Sequence, residues 1–252
     1  MLTIARHSLR EAINNRLLWV ALALILLSFL FVEFVGALAL TEHRAIQATM
    51  FASLLRVASI FVLVLFVVAS LLREQRDGSL EAILSLPLSR SVYVLGKAVA
   101  LAVLAVVMAV VCGAALLLYA QPLAALAWGA SLACELLLVG AFGLLLAFTF
   151  RQTVAATAAF AVIYVLARAM GALQLMMAQP IFAGGGWGQA AIEYFLRGLG
   201  WVLPALYRFT DAGWLAEAGP MSSDLLYVAG QTLVYLPLLL AAAAIDLHRR
   251  EF

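Results

Sequence analysis

Residues 17–40 read LLWVALALILLSFLFVEFVGALAL, a run in which Glu33 is the only charged side chain. The hydrocarbon core of a bilayer is about 30 Å thick and requires about 20 apolar residues in a helix, because only a helix satisfies its own backbone there. Five further runs meet the same requirement, at 48–72, 95–118, 123–150, 153–178 and 224–245. The sequence therefore predicts an all-α, polytopic membrane protein with six transmembrane helices.

The composition agrees with this fold class and excludes others. Of 252 residues, 67% are hydrophobic and only 11% are charged, whereas soluble domains carry about a quarter charged residues. A large soluble catalytic domain is excluded, and we expect a single transmembrane domain over residues 1–252. A net charge of +2 without a basic stripe does not favour nucleic acid as a partner.

The distribution of basic residues predicts the orientation. Ten of the 15 Lys and Arg fall on one side if the six runs alternate in direction, namely Arg6, Arg10, Arg16, Arg73, Arg76, Arg90, Lys97, Arg151, Arg249 and Arg250. Because cytoplasmic segments are enriched in Lys and Arg, we expect both termini to be cytoplasmic. We expect the membrane to be of the bacterial inner-membrane type. Residues 1–16 have apolar positions at helical spacing, which favours a short interfacial helix; a basic topogenic flank is the alternative.

Two connections are longer or more distinctive than the others. Residues 179–223 precede the last span and contain several Trp, Gly and Pro, which predicts a long extracytoplasmic loop. Its part 192–205 is apolar enough to lie in the interface or to dip partly into the membrane. Residues 73–97 read REQRDGSLEAILSLPLSRSVYVLGK. In this second segment Gly78 permits a turn, Pro87 ends a helix, and a small apolar face consists of Leu80, Ile83 and Leu84. The pattern predicts a short amphipathic cytoplasmic helix that needs a partner groove.

The pattern Glu74-x-x-x-Gly78-Ser79-Leu80-Glu81, followed by Pro87-Leu88-Ser89-Arg90, resembles the signature of type-2, exporter-class ABC transporter permeases. Within that class it is similar to the permeases of haem export, of copper-enzyme maturation and of drug or lipid export. The resemblance implies a membrane subunit that dimerises, most simply as a homodimer, and docks two cytoplasmic ABC ATPases on the loop 73–95. The ATPase-coupling residues that it implies are Glu74, Gly78, Leu80, Glu81, Ile83, Leu84, Pro87 and Arg90.

The sequence predicts a non-catalytic subunit. A phosphate cradle has the pattern G-x-x-x-x-G-K-[ST], but the Gly96-Lys97 pair lacks the first glycine and is followed by Ala98. ATP and Mg are therefore expected in the partner ATPase, and no cofactor in this chain. Membrane lipids and an extracytoplasmic accessory protein are further candidate partners.

Ionisable residues inside the spans are costly and are therefore candidates for a transport pathway. At 1.5 Å per residue, Glu33 and Arg56 lie about 24 Å from the cytoplasmic ends of the first two spans, and Glu135 and Arg168 lie about 22 Å from those of spans four and five. Adjacent spans form hairpins, so we expect the ion pairs Glu33–Arg56 and Glu135–Arg168. Structural clamps, or outward snorkelling of Arg56, are the alternatives to cargo contact, and Glu135 is the best candidate for the pathway.

Other functions find less support in the sequence. His7, His43 and His248 lack neighbouring ligands at metal-binding spacing. The cluster of Met170, Met176 and Met177 is more typical of soft packing than of copper transfer. A gradient-driven secondary transporter would show paired broken helices, which the two halves of the sequence do not suggest. A permease-like scaffold that transmits force for the assembly or maturation of envelope proteins stays open as an alternative to export.

Overall fold

The computed structural model describes residues 6, 8–11, 17–38, 43–78, 90–177, 194–196, 198–200, 203–210, 215 and 222–249. Six long helices dominate it: α1 (Leu17–Leu38), α2 (His43–Arg76), α3 (Arg90–Leu116), α4 (Pro122–Thr149), α5 (Thr153–Met177) and α6 (Ser222–Arg249). Each contains a segment long and apolar enough to cross a membrane. The prediction of an all-α protein with six membrane-spanning helices is confirmed, and the described residues contain no strand.

Helix α4 lies at the centre of the bundle, packed against α2, α3, α5 and α6. Small residues permit this position, because they let helix backbones approach closely inside a membrane. At the crossing with α3, a Cβ added to Gly129 would lie 3.6 Å from the carbonyl oxygen of Ala109 and 3.8 Å from Cα of Gly113. At the crossing with α2, a Cβ on Gly143 would lie 3.6 Å from a methyl group of Val67.

Helices α1 and α6 are the most exposed of the six spans. Large apolar side chains such as Leu26, Leu30 and Phe34 of α1 point away from the bundle, as expected of residues that face lipid. Helix α1 packs on α2, and α6 packs along α4. The fold is thus a core built around α2 and α4 with two peripheral helices.

The predicted interfacial helix is described only at residue 6 and residues 8–11, which are helical. Ser8 is buried, Leu9 packs against the core of the bundle, and the Ser70 hydroxyl of α2 donates a hydrogen bond to the Glu11 carboxylate at 2.8 Å. This short piece of chain is therefore attached to the end of α2 that leads into the 73–95 segment.

The loop predicted at 73–95 is shorter in the structure, because helices extend into it from both sides. Helix α2 continues to Arg76, and α3 begins at Arg90. After α2 the chain turns at Gly78, whose φ of 68° is left-handed and favours glycine. Residues 79–89, which include the predicted amphipathic helix, lie outside the described residues.

Part of the predicted outer loop 179–223 packs into the bundle. A 3-10 turn at Leu206–Phe209 contacts α4, α5 and α6. The side chains of Leu206 and Phe209 are buried, since both insert among the helices. The apolar character of this region thus reflects helix packing at 206–209 as well as exposed side chains at Tyr194 and Phe195.

Candidate functional site

A buried cluster of charged residues lies where α2, α4 and α5 meet; we call Arg56, Glu135 and Arg168, with Tyr164 and Trp128, the buried cluster. Its centre is the Glu135 carboxylate on α4. One carboxylate oxygen accepts a hydrogen bond from Arg56 Nη1 at 2.5 Å. The other accepts from Arg168 Nη1 at 3.1 Å and from the Tyr164 hydroxyl at 3.2 Å. The carboxylate is therefore compensated by two cations and a neutral donor, as a charge away from water requires.

Arg56 is held on its other side by Trp128. The guanidinium carbon lies 4.9 Å from the centroid of the indole ring, and Arg56 Nη2 lies 3.4 Å from the Trp128 carbonyl oxygen. The side chains of Arg56 and Glu135 are both 0% exposed. A cation over the indole face gains electrostatic stabilisation that is largest when both groups are desolvated.

The expected pair Glu33–Arg56 is wrong. Arg56 pairs with Glu135, and the exposed Glu33 instead accepts a hydrogen bond from the Tyr119 hydroxyl. The three residues Glu33, Arg56 and Glu135 were expected at nearly equal depth, so depth alone leaves open which helices are neighbours at that level. Burial and the nearby Glu33 carboxylate raise the pKa of Tyr119 above its usual value, which keeps the phenol a hydrogen-bond donor.

Arg168 joins the buried cluster to the 3-10 turn. Its Nη1 donates to Glu135 and also, at 2.9 Å, to the carbonyl oxygen of Leu206. The hydroxyl of Ser131, one turn before Glu135 on α4, donates to the carbonyl oxygen of Phe209. The turn therefore closes one side of the cluster with backbone acceptors.

A second polar region surrounds the described ends of the 73–95 segment; we call Glu74, Tyr93, Lys97 and Arg90 the loop-end network. Glu74 of α2 pairs with Lys97 of α3, and the Tyr93 hydroxyl donates to the same carboxylate at 2.6 Å. The side chains of Lys97 and Glu74 are 6% and 12% exposed. The last turn of α2 is thus fixed to the first turns of α3.

Arg90 connects the start of α3 to the end of α6. Its Nη1 donates to the carbonyl oxygens of Leu247 at 2.9 Å and His248 at 3.1 Å. The last carbonyl groups of a helix lack intrahelical partners and carry partial negative charge, so a guanidinium is a favourable cap. The same end of α6 is joined to α4 by a hydrogen bond from Thr149 to Asp246 at 3.0 Å.

Comparison with known families assigns the chain. The family model described as ABC-2 family transporter protein matches residues 2–242. This chain belongs to that family. It is a multi-pass membrane permease of an ABC transporter, and membership implies association with an ATP-binding subunit. No curated protein matches the permease sequence.

The predicted coupling residues of the permease fall into two groups. Glu74, Gly78 and Arg90 are described, and they flank the segment 79–89 at the ends of α2 and α3. The remaining predicted residues lie outside the described residues: Leu80, Glu81, Ile83, Leu84 and Pro87. Among the described ones, Glu74 and Arg90 bind groups of the permease itself.

Sequence reasoning missed four side chains of the two regions: Tyr164 and Trp128 in the buried cluster, and Tyr93 and Lys97 in the loop-end network. Tyr164 is four residues before Arg168, and Tyr93 is four residues before Lys97, so each pair shares a helix face. That spacing was the available signal. Trp128 gave none, because an indole in an apolar run has the same pattern as any packing residue.

Proposed function

We propose that the permease is the membrane subunit of an ABC exporter, working as a homodimer with two separate ATPase subunits. The ATPases dock beneath the segment 79–89, in the cytoplasm, and both chain termini lie on that side of a bacterial-type inner membrane. The observation that carries the proposal is the loop-end network, since it joins the two flanks of that segment to each other and to the last helix.

Several contacts connect the flanks of the segment 79–89 to the helices of the bundle, so a displacement of the segment would move those helices. Glu74 and Lys97 make the ends of α2 and α3 move together. Arg90 passes that movement to the end of α6, and the Ser70–Glu11 hydrogen bond passes it to the N-terminal residues. Helix α6 lies at the periphery with few of its residues buried, whereas the faces of α2 and α4 are covered by neighbours.

The charge at this end supports a cytoplasmic location. Besides the network, it carries basic residues that the bundle does not bury, including Arg73, Arg76, Arg151 and Arg249. Basic residues at span ends favour the cytoplasmic side. Anionic surfaces of partner subunits or lipid headgroups would find complementary charge there.

A crosslinking experiment tests the docking side. A photo-reactive phenylalanine analogue replaces Leu84, in the segment between α2 and α3, or Leu118, an exposed residue in the connection at the opposite ends of α3 and α4. In cells, position 84 should crosslink to a protein that mass spectrometry identifies as an ATP-binding-cassette subunit, and position 118 should not. Crosslinking of that subunit from position 118 alone would reverse the proposed orientation.

Reconstitution tests the division of labour. The permease alone should hydrolyse no ATP, and the ATPase with the permease in proteoliposomes should do so at a rate that depends on the permease. Export predicts stimulation by a transported molecule. A scaffold predicts nucleotide turnover that responds to a bound envelope protein and moves no solute across the membrane.

A further inference from the structure

The buried cluster carries more positive than negative charge. Two arginines face one carboxylate, and Glu135 is the only acidic side chain paired with either of them among the described residues. The cluster therefore has a formal charge of +1, and two of its three charged side chains are closed off from solvent. A charge in such a place favours a compensating anion.

Hydrogen-bond donors in the cluster also lack acceptors. Arg56 Nε and Trp128 Nε1 are both buried, and neither has a hydrogen-bond partner within the part of the chain that the structure describes. Because the guanidinium stacks on the indole, these two donors belong to one place in the bundle. Buried donors are nearly always satisfied in proteins, so an acceptor from another molecule would complete this site.

Among its charged residues that the structure describes, the cluster is open at Arg168. The Arg168 side chain is 28% exposed, whereas those of Arg56 and Glu135 are closed off. Arg168 uses Nη1 for both of its hydrogen bonds, and the described residues offer no acceptor to its Nη2 and Nε. An oxyanion arriving at Arg168 would therefore meet a planar pair of donors suited to a carboxylate or a phosphate.

We propose that the buried cluster binds one anionic group, a carboxylate or a phosphate, which enters from the side of Arg168. Arg168 lies about 13 Å from the end of α5 at Met177 by helix rise, which is deeper than the headgroups of the surrounding bilayer. The group is thus part of a molecule taken into the bundle, or a free anion. This deepens the proposed function, on which it rests, by assigning the cargo an acidic group.

Binding to the full-length permease tests the site without the ATPase. The permease is placed in nanodiscs of phosphatidylcholine, and equilibrium dialysis measures radiolabelled dodecyl phosphate, with dodecylphosphocholine as the zwitterionic control probe. We expect saturable binding of dodecyl phosphate at one molecule per chain. Competition by inorganic phosphate would identify a site for the free anion, and absence of competition a site for an acidic amphiphile. Absence of saturable binding would overturn the proposal.

Charge variants give effects of opposite sign. Arg168→Gln should weaken binding about tenfold or more, and Arg168→Lys should weaken it less, since lysine keeps the charge but loses the planar pair of donors. The matched control Arg151→Gln removes an exposed arginine between α4 and α5 and should leave binding unchanged. Glu135→Gln should tighten binding, because the charge of the cluster rises to +2.

Two results would contradict the site. Equal binding by Arg168→Gln and Arg151→Gln would show that dodecyl phosphate binds elsewhere. Weaker binding by a folded Glu135→Gln variant would show that the excess positive charge does not attract the anion. Should Glu135→Gln fail to fold, the comparison of the two arginine variants decides. Either failure leaves the crosslinking result on ATPase docking unaffected, so the two proposals are tested separately.

Discussion

The buried cluster and the loop-end network are both built from a glutamate, basic residues and tyrosine, yet their surroundings differ. The cluster joins three helices and closes Arg56 and Glu135 off from solvent. The loop-end network lies at the ends of helices, and Glu74 and Arg90 there remain partly exposed. Removal of one partner is most costly where both charges are fully closed off, and less costly at helix ends, where water lies closer to the charge that remains.

The difference assigns the two regions different mechanical properties. The buried cluster holds α2, α4 and α5 together, so these helices should move as one body. The loop-end network joins the ends of α2, α3 and α6 to one another, so a displacement of one end would move the others, as the proposed coupling requires. The variants below test this contrast, in order of decreasing effect.

Glu135→Leu should have the largest effect, because it leaves the guanidinium of Arg56 buried without its carboxylate. Loss of one partner of a buried ion pair costs about 3–5 kcal/mol. Size-exclusion chromatography after heating in detergent should show a large fall in the temperature at which half of the permease stays monodisperse. The control Glu33→Leu, which removes an exposed carboxylate on α1, should change this temperature little.

A double variant refines the test. Arg56→Met combined with Glu135→Leu removes the buried pair together and should recover much of the lost stability, since apolar residues replace a desolvated pair well. Equal losses in Glu135→Leu and Glu33→Leu would show that the cluster does not hold the helices together.

Glu74→Gln should have the second largest effect on stability. The variant leaves Lys97 without the carboxylate that it binds. Because a hydrogen bond to a charged group contributes about 1.5–3 kcal/mol to stability, the free energy of unfolding should fall by about that amount. Its effect on coupling should exceed its effect on stability. Co-purification of the ATPase should be unchanged, while the ATP-driven change in distance between spin labels on α2 and α6 is lost.

The matched control is Glu74→Leu with Lys97→Met, which removes both charges. It should recover much of the thermal stability, although the Tyr93 hydroxyl loses its acceptor, without restoring the distance change. A distance change that persists in Glu74→Gln would mean that motion reaches α6 by a route outside the loop-end network.

Gly171→Ala should disturb the contact between α5 and the 3-10 turn. A Cβ at this position would lie 2.7 Å from two ring carbons of Tyr207, so the turn that carries Tyr207 must shift. Overpacking of this kind costs about 1–2 kcal/mol where the neighbour is partly exposed. Because the same turn accepts a hydrogen bond from Arg168, the shift also loosens one side of the buried cluster.

Removal of the clash identifies its cause. Tyr207→Ala in the Gly171→Ala background should recover stability relative to Gly171→Ala alone, as measured by the same heating assay. A double variant that is less stable than Gly171→Ala would show that Tyr207 is not the obstructing residue.

The sequence predicts the fold well and the polar contacts partly. Six spans follow from the lengths of the apolar runs, since few alternatives satisfy a backbone in lipid. Arg168 Nη1 lies 3.1 Å from Glu135 Oε1, as expected for residues at equal depth on one hairpin. Arg56 pairs with Glu135 and not with Glu33. The residue spacing determines how deep a side chain lies in the membrane, but it does not determine which helices are neighbours. The carbonyl oxygen of Leu206 has no sequence pattern that places it beside Arg168.

The smallest of these effects concerns the end of α2 and compares two glycines. Within the described residues, no neighbouring atom lies within 4 Å of a Cβ added to Gly78 or Gly230. Gly78 has a φ of 68°, whereas Gly230 lies inside α6. Gly78→Ala should therefore cost about 1 kcal/mol from backbone strain alone, and Gly230→Ala should gain up to about 1 kcal/mol of helix stability. Because the added methyl group is the same and meets no described neighbour, a difference in sign between the two variants shows the effect of backbone conformation on stability. If both variants shift the unfolding temperature in the same direction, the left-handed turn at Gly78 does not constrain the direction in which the chain leaves α2. The proposed coupling through the loop-end network would then lack a fixed backbone geometry at the end of α2.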